Sequence, residues 1–230
     1  MPRQVAVIGL GRFGSSIART LYQAGHDVLA IDQDERASRE LVGQVTYSVQ
    51  GDATEESVLR ELGMSNFEVA VIAIGADMRS SLLSTVLIKS MGVRYVLARG
   101  FNQVHANALR KVGADKVVQV EQEAGERFAH MVTYPDEIQE SIQDYMELTS
   151  QYGISRLSPP QHLHGLSFRE AGLAGAREKY GAAVLAVRRG RDLVLTPDPE
   201  DTIQAGDVLV IACRDEILAQ LIAEPDSDKS

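Results

Sequence analysis

Apolar runs of four or five residues recur through the first half of the chain, at 5–8, 28–31, 45–49, 69–73, 95–98 and 116–120. Between them lie stretches in which apolar residues return every three or four positions, at 13–24, 35–42, 55–62, 79–91, 104–112 and 125–132. The first set reads as strands and the second as helices. The strands are rich in Val, Ile and Ala without strict alternation, which implies burial on both faces. Strands that alternate with helices imply right-handed crossovers and a doubly wound parallel sheet. The expected strand order is 3-2-1-4-5-6, with a ligand at the carboxyl ends around the switch point.

After Tyr134-Pro135 the rhythm changes. A helical stretch at 136–145 leads to a strand at 150–157 and then to Ser158-Pro159-Pro160. Further strands are expected at 183–188, 193–196 and 208–212, separated by Gly- and Pro-bearing turns, with a last helix ending at 218–222. Short strands punctuated this way make a smaller α+β domain. The expected division is a nucleotide-binding domain at 1–133, a connecting helix at 134–147, a small lobe at 148–224 and a disordered tail at 225–230.

Composition narrows the function classes. The 230 residues are 44% apolar, enough for a real core. A net charge of −9 argues against a nucleic-acid partner. No run of about 18 apolar residues and no leader pattern is present, so the expected location is cytoplasmic. The single cysteine, Cys213, excludes an intrachain disulfide and a cysteine-based metal cluster, and it reads as a buried strand residue.

The most informative segment runs from Val7 to Gly14. There the first strand enters Gly9-Leu10-Gly11-Arg12-Phe13-Gly14, a helical pattern follows, and the second strand ends in Asp32. The glycines permit a tight turn, a close approach to phosphate and close helix–sheet packing, as in a Rossmann fold. The helix N-terminus presents free N–H groups and a positive dipole end to phosphate. Asp32, followed by Gln33, stands where a side chain accepts hydrogen bonds from ribose hydroxyls.

Other candidates follow from position. Asp52, Ala53 and Thr54 come after the third strand, beside the expected adenosine half, although Asp52 reads equally as a helix cap. Ile74 and Gly75 follow the fourth strand, where small residues let a ligand approach backbone. Arg12 sits at a helix start that disfavours a cation, which points to a phosphate partner. Arg99 ends the fifth strand with a choice of phosphate or solvent, and Glu121 ends the sixth with a choice of cation or solvent. His162 and His164 are too few for a metal site, and Asp198, Glu200 and Asp201 read as a solvated turn. No Ser/His/Asp set, nucleophile elbow or Walker lysine is present, so no enzyme is expected.

These segments together resemble the cytosolic regulatory subunits of bacterial potassium uptake systems of the KtrA/TrkA type, built from RCK domains. Residues 8–14, including Arg12 and Phe13, are similar to that family's glycine loop. Residues 51–54, 71–75 and 111–115 fit as well, as do Lys179-Tyr180-Gly181, residues 197–201 and residues 206–210 in the second lobe. Residues 169–177 read as an insertion of a few residues.

The resemblance implies a dimer and an octameric ring. It implies ATP or ADP, with NAD(H) in some members, bound without turnover. It implies docking on a membrane potassium-translocating subunit at the cytoplasmic face, and in some members cyclic di-AMP between paired C-terminal lobes. By the same resemblance Arg12 contacts the terminal phosphates, Asp32 holds the ribose, and Glu121 lies beside Mg2+ or Na+ at the phosphates. Two other readings stay open: a small NAD(P)-dependent oxidoreductase, and a nucleotide-sensing module of another cation transporter.

Overall fold

The computed structural model describes residues 2–75, 77–132, 141–149, 151–175 and 181–223. The chain divides into two compact units, Met1–Glu123 and Ala124–Ser230.

The first unit alternates strand and helix as β1 Gln4–Ile8, α1 Arg12–Gln23, β2 Asp27–Asp32, α2 Glu35–Arg39, β3 Tyr47–Gln50, α3 Glu56–Glu61, β4 Val69–Ile72, α4 Met78–Ser90, β5 Tyr95–Arg99, α5 Gln103–Lys111, β6 Lys116–Val118 and α6 Val120–Val132. The six strands form one parallel sheet in the expected order β3-β2-β1-β4-β5-β6. Successive side chains of a strand point to opposite faces. Ala6 and Ile8 of β1 accordingly join Ile31, Leu59, Ile72, Ile88 and Leu109 in one core. Val5 and Val7 join Ala18, Val28, Leu41 and Val71 in the other. Apolar runs without alternation are what a sheet covered on both faces requires.

The largest departures from the sequence reading are at the β6–α6 junction and in residues 136–145. The sixth strand stops at Val118, and α6 begins at Val120 rather than near 125. Glu121 is therefore a first-turn helix residue, not the end of a strand. The reason is electrostatic: Glu121 and Glu123 complement the positive end of the helix, and the Glu123 carboxylate accepts the Gln119 N–H at 3.2 Å. The helix read at 136–145 is a strand from Ile142 onward, and residues 133–140 lie outside those described.

In the second unit β7 (Ile142–Thr149) pairs antiparallel with β8 (Tyr152–Leu157). Ile142, Tyr145 and Leu148 recur every third residue, a helical spacing; pairing with β8 makes the segment a strand, and a register shift between Ile142 and Asp144 accompanies the burial of both Ile142 and Tyr145. Then come β9 (Ala183–Arg189), β10 (Asp192–Leu195), β11 (Val208–Arg214) and α7 (Asp215–Ile222). The sheet is antiparallel throughout, in the order β10-β9-β11-β8-β7. Its core gathers Leu157, Phe168, Leu173, Ile203, Leu209, Ile211 and Cys213 with Leu218 and Leu221 of α7. The free thiol is buried, and burial pushes its pKa up to about 11. The segments read as a tail and as Lys179-Tyr180 lie outside the described residues. No helix among the described residues is long and apolar enough to cross a membrane.

Candidate functional site

At the carboxyl edge of the parallel sheet lies a cleft of about 510 Å³. Its first wall is the glycine loop. Gly9 has φ +88°, a conformation that L side chains rarely adopt, and its N–H donates to the Ile31 carbonyl at 2.8 Å. A Cβ on Gly9 would press on the β4 terminus at Ala73 and Ile74, and one on Gly14 would overlap the Gly9 carbonyl oxygen. Gly9 lets the chain turn, and Gly14 lets α1 settle on the turn. Gly11 differs: its φ is −63° and nothing stands within 4 Å of where its Cβ would be. It starts α1 without a side-chain cap and without an acid in the first turn. The first N–H groups of α1 thus lack a side-chain acceptor, as an anion site requires.

Asp32 closes the loop from the side of β2. One carboxylate oxygen accepts the Leu10 N–H at 2.6 Å and the other accepts the Asp34 N–H at 2.8 Å. Gln33, Gly51, Asp52, Ala53 and Thr54 continue this end of the cleft. Asp52 accepts both the N–H and the hydroxyl of Thr54, at 2.8 and 2.7 Å. It fixes the turn before α3 but does not cap that helix, whose N-cap is Glu55. Asp52 is thus a turn residue that also lines the cleft.

Across the switch point the walls are Ile74, Gly75, Asp77, Ser80, Ser84 and Arg99. Asp77 caps α4, accepting from Arg79 N at 2.9 Å and from the Ser80 hydroxyl at 2.6 Å. The bonds from Ser80 hold its carboxyl below the usual carboxylate range. Ser80 and Ser84 stand one helical turn apart, and Ser84 is fully buried with no partner for its hydroxyl among the described residues. The sequence reading missed both serines. The available signal was Asp77-x-x-Ser80 at the head of a helix, the spacing of a reciprocal cap.

Arg99, the last residue of β5, lays its guanidinium against the Gly75 backbone, so closely that a Cβ there would overlap it. It lies 5.9 Å from the Phe13 ring centroid and pairs through Nη2 with Glu121. Arg12 opens α1 on the exposed side and is not part of the cleft lining, and neither are Phe13, Gly14 and Glu121. The structure thus brings Gly9, Gly11, Asp32, Gln33, Asp52, Ala53, Thr54, Ile74, Gly75 and Arg99 around one space. The charged groups of the lining are three aspartates and one arginine, without a histidine or lysine. No group of three or more metal-ligating side chains occurs among the described residues. His164 bonds the Pro159 carbonyl oxygen at 3.0 Å.

Comparison with known proteins adds family-level evidence. Residues 5–120 match the TrkA-N domain model and residues 154–225 match the TrkA-C domain model. The Ktr system potassium uptake protein A of Bacillus subtilis (strain 168) is 36% identical over 209 residues, 91% of this chain and 90% of that protein. The Ktr system potassium uptake protein C of the same organism is 33% identical over 211 residues, 92% of each chain. Among solved structures, the GsuK channel bound to NAD superposes with a TM-score of 0.61 at 19% identity over 99% of this chain. This chain spans 41% of that channel's length, and the likeness concerns the fold.

Proposed function

The chain belongs to the family built from a TrkA-N domain followed by a TrkA-C domain, and from that premise we propose that it is a nucleotide-binding regulatory subunit of a potassium uptake system. The observation that carries the reading is one cleft with a ribose acceptor at one end and a phosphate-seeking cation at the other. Asp32 ends β2 and Arg99 ends β5, three strand spacings or about 14 Å apart. Between them run the glycine loop and the uncapped start of α1. An adenine nucleotide spans that edge from ribose to terminal phosphate.

ATP or ADP is the ligand this arrangement favours. NAD, to which the GsuK channel is bound in its structure, shares the adenosine half, and NAD(H) stays open as a ligand here. The lining supplies no acid–base pair with a histidine or lysine, so the ligand acts as a signal and is not turned over. A carboxylate beside phosphates repels them unless a cation intervenes. Mg2+ or Na+ would therefore sit between Glu121 and the phosphates, with phosphate oxygens completing its shell. The exposure of Arg12 at the head of α1 supports a reading in which it reaches the nucleotide of a second copy in a dimer or an octameric ring. The two Ktr relatives support docking on a membrane potassium-translocating subunit at its cytoplasmic face.

Titration calorimetry of the full chain tests the reading. ATP and ADP are expected to bind with a Kd of about 10 μM or tighter, and Arg12→Ala is expected to weaken ATP more than ADP. Substrate-dependent NADH formation at about 1 s⁻¹ or faster would overturn it in favour of an oxidoreductase.

A further inference from the structure

Arg99 and Glu121 are the feature that the ligand cleft alone does not explain. The Arg99 guanidinium faces the cleft, yet its ion-pair partner is outside the lining, on the first turn of α6. Its Nε is buried without a hydrogen-bond partner among the described residues. The Phe13 ring and the Gly75 backbone hold the planar group in place from two sides. Glu121, by contrast, leaves 64% of its side chain in water. One member of the pair is fixed by packing and the other is replaceable.

From this we infer that Glu121 is a stand-in for phosphate: it competes for Arg99 and is displaced when a nucleoside polyphosphate enters. The inference rests on the nucleotide reading above and adds to it a route out of the cleft. An exposed carboxylate pair is weak. A terminal phosphate offers more charge and a bidentate set of oxygens to the same fork. Once phosphate holds Arg99, Glu121 is released from it, to a bridging cation where one is present and into solvent where none is, and the first turn of α6 loses its tether to β5. The boundary between the two compact units falls after Glu123, inside α6. The displaced contact therefore lies at the start of the helix that leads from one unit into the other.

Two measurements on the full chain, both with EDTA in sodium-free choline buffer so that neither Mg2+ nor Na+ bridges the carboxylate, test this. The first is calorimetry with ADP and ATP on the wild type and on Glu121→Gln, which keeps shape and removes charge. Loss of the competitor is expected to tighten binding about fivefold, the size of effect a surface ion pair carries. The second is hydrogen exchange at the amides of residues 120–124. Nucleotide is expected to speed exchange there in the wild type, and free Glu121→Gln is expected to show the fast rate already. Equal or weaker binding by Glu121→Gln overturns the inference, and so does exchange in the wild type that nucleotide leaves unchanged while calorimetry shows it bound. Absence of any binding to the wild type sinks the nucleotide reading and the displacement with it, an outcome the calorimetry separates from the other two.

Discussion

In the second unit Asp207 is sealed in, 1% exposed, and takes both hydrogen-bonding arms of Arg189 at 2.8 Å each and the Gln204 N–H at 2.9 Å. In the first unit Asp32 accepts two backbone N–H groups at the mouth of a cleft and has no cation beside it in the hydrogen-bond pattern. Both are aspartates at the margin of a sheet, but the charge of Asp207 is answered within its own fold. The charge of Asp32 is only oriented, which leaves acceptor capacity for hydroxyl donors. A buried carboxylate with a complete set of partners marks structure, whereas one that is positioned but left partly open marks a site. The Arg189 side chain is 43% exposed, so the Asp207 pair gains less than a fully buried pair would.

The contrast can be broken from either end. Asp207→Ala leaves Arg189 without its carboxylate, with the Thr202 carbonyl still accepting from it, and should cost the second unit about 2 kcal/mol of stability by urea unfolding, with ATP affinity unchanged. Burial raises the Asp207 pKa, but Arg189 and the Gln204 N–H outweigh it and hold the group below its ordinary value. The pair's stabilisation should therefore be complete above about pH 4 and fade as pH falls through the depressed value. Asp32→Ala should do the reverse. It should weaken nucleotide binding by about 1.5 kcal/mol while unfolding shifts by less than about 1 kcal/mol. Equal losses of stability in the two variants would erase the distinction.

A smaller effect sharpens the comparison within the first unit. His105 of α5 is fully buried, its ring 4.6 Å from that of Phe101, and neither ring nitrogen has a partner among the described residues. Burial holds its pKa below the usual value. The unfolded chain thus binds a proton more readily than the folded one. Stability should be full above about pH 6.5 and decline as pH falls below it. His105→Leu should flatten that decline, a change of about 0.5–1 kcal/mol between pH 7 and 5.5 in thermal unfolding.

The parallel sheet was legible because its signals agree. Apolar runs buried on both faces, glycines at two positions that tolerate no side chain, and Asp32 at a strand end all point the same way. The Asp32 end of the cleft was legible for the same reason, being built from short runs adjacent in sequence, Asp32–Gln33 and Gly51–Thr54. The far end was less so. Ser80 and Ser84 join it only because α4 turns that face inward, and the Arg99–Glu121 pair spans 22 positions with no local pattern to announce it. The strand β7 was misread as helix because Ile142, Tyr145 and Leu148 recur every third residue. Its irregular register with β8, which no local pattern announces, accommodates that spacing in a strand.

Gly11 has a consequence for experiment. Its backbone suits any residue, and the space beside it is vacant in the folded chain. A methyl group placed there by Gly11→Ala meets no atom of the folded chain and intrudes on what enters the cleft, at the cost of a poorer cap for α1. Under the function proposed above, the outcome would be a chain that folds but is blind to nucleotide. If copies assemble as proposed, mixing it with the wild type would count how many occupied sites the assembly needs before it responds.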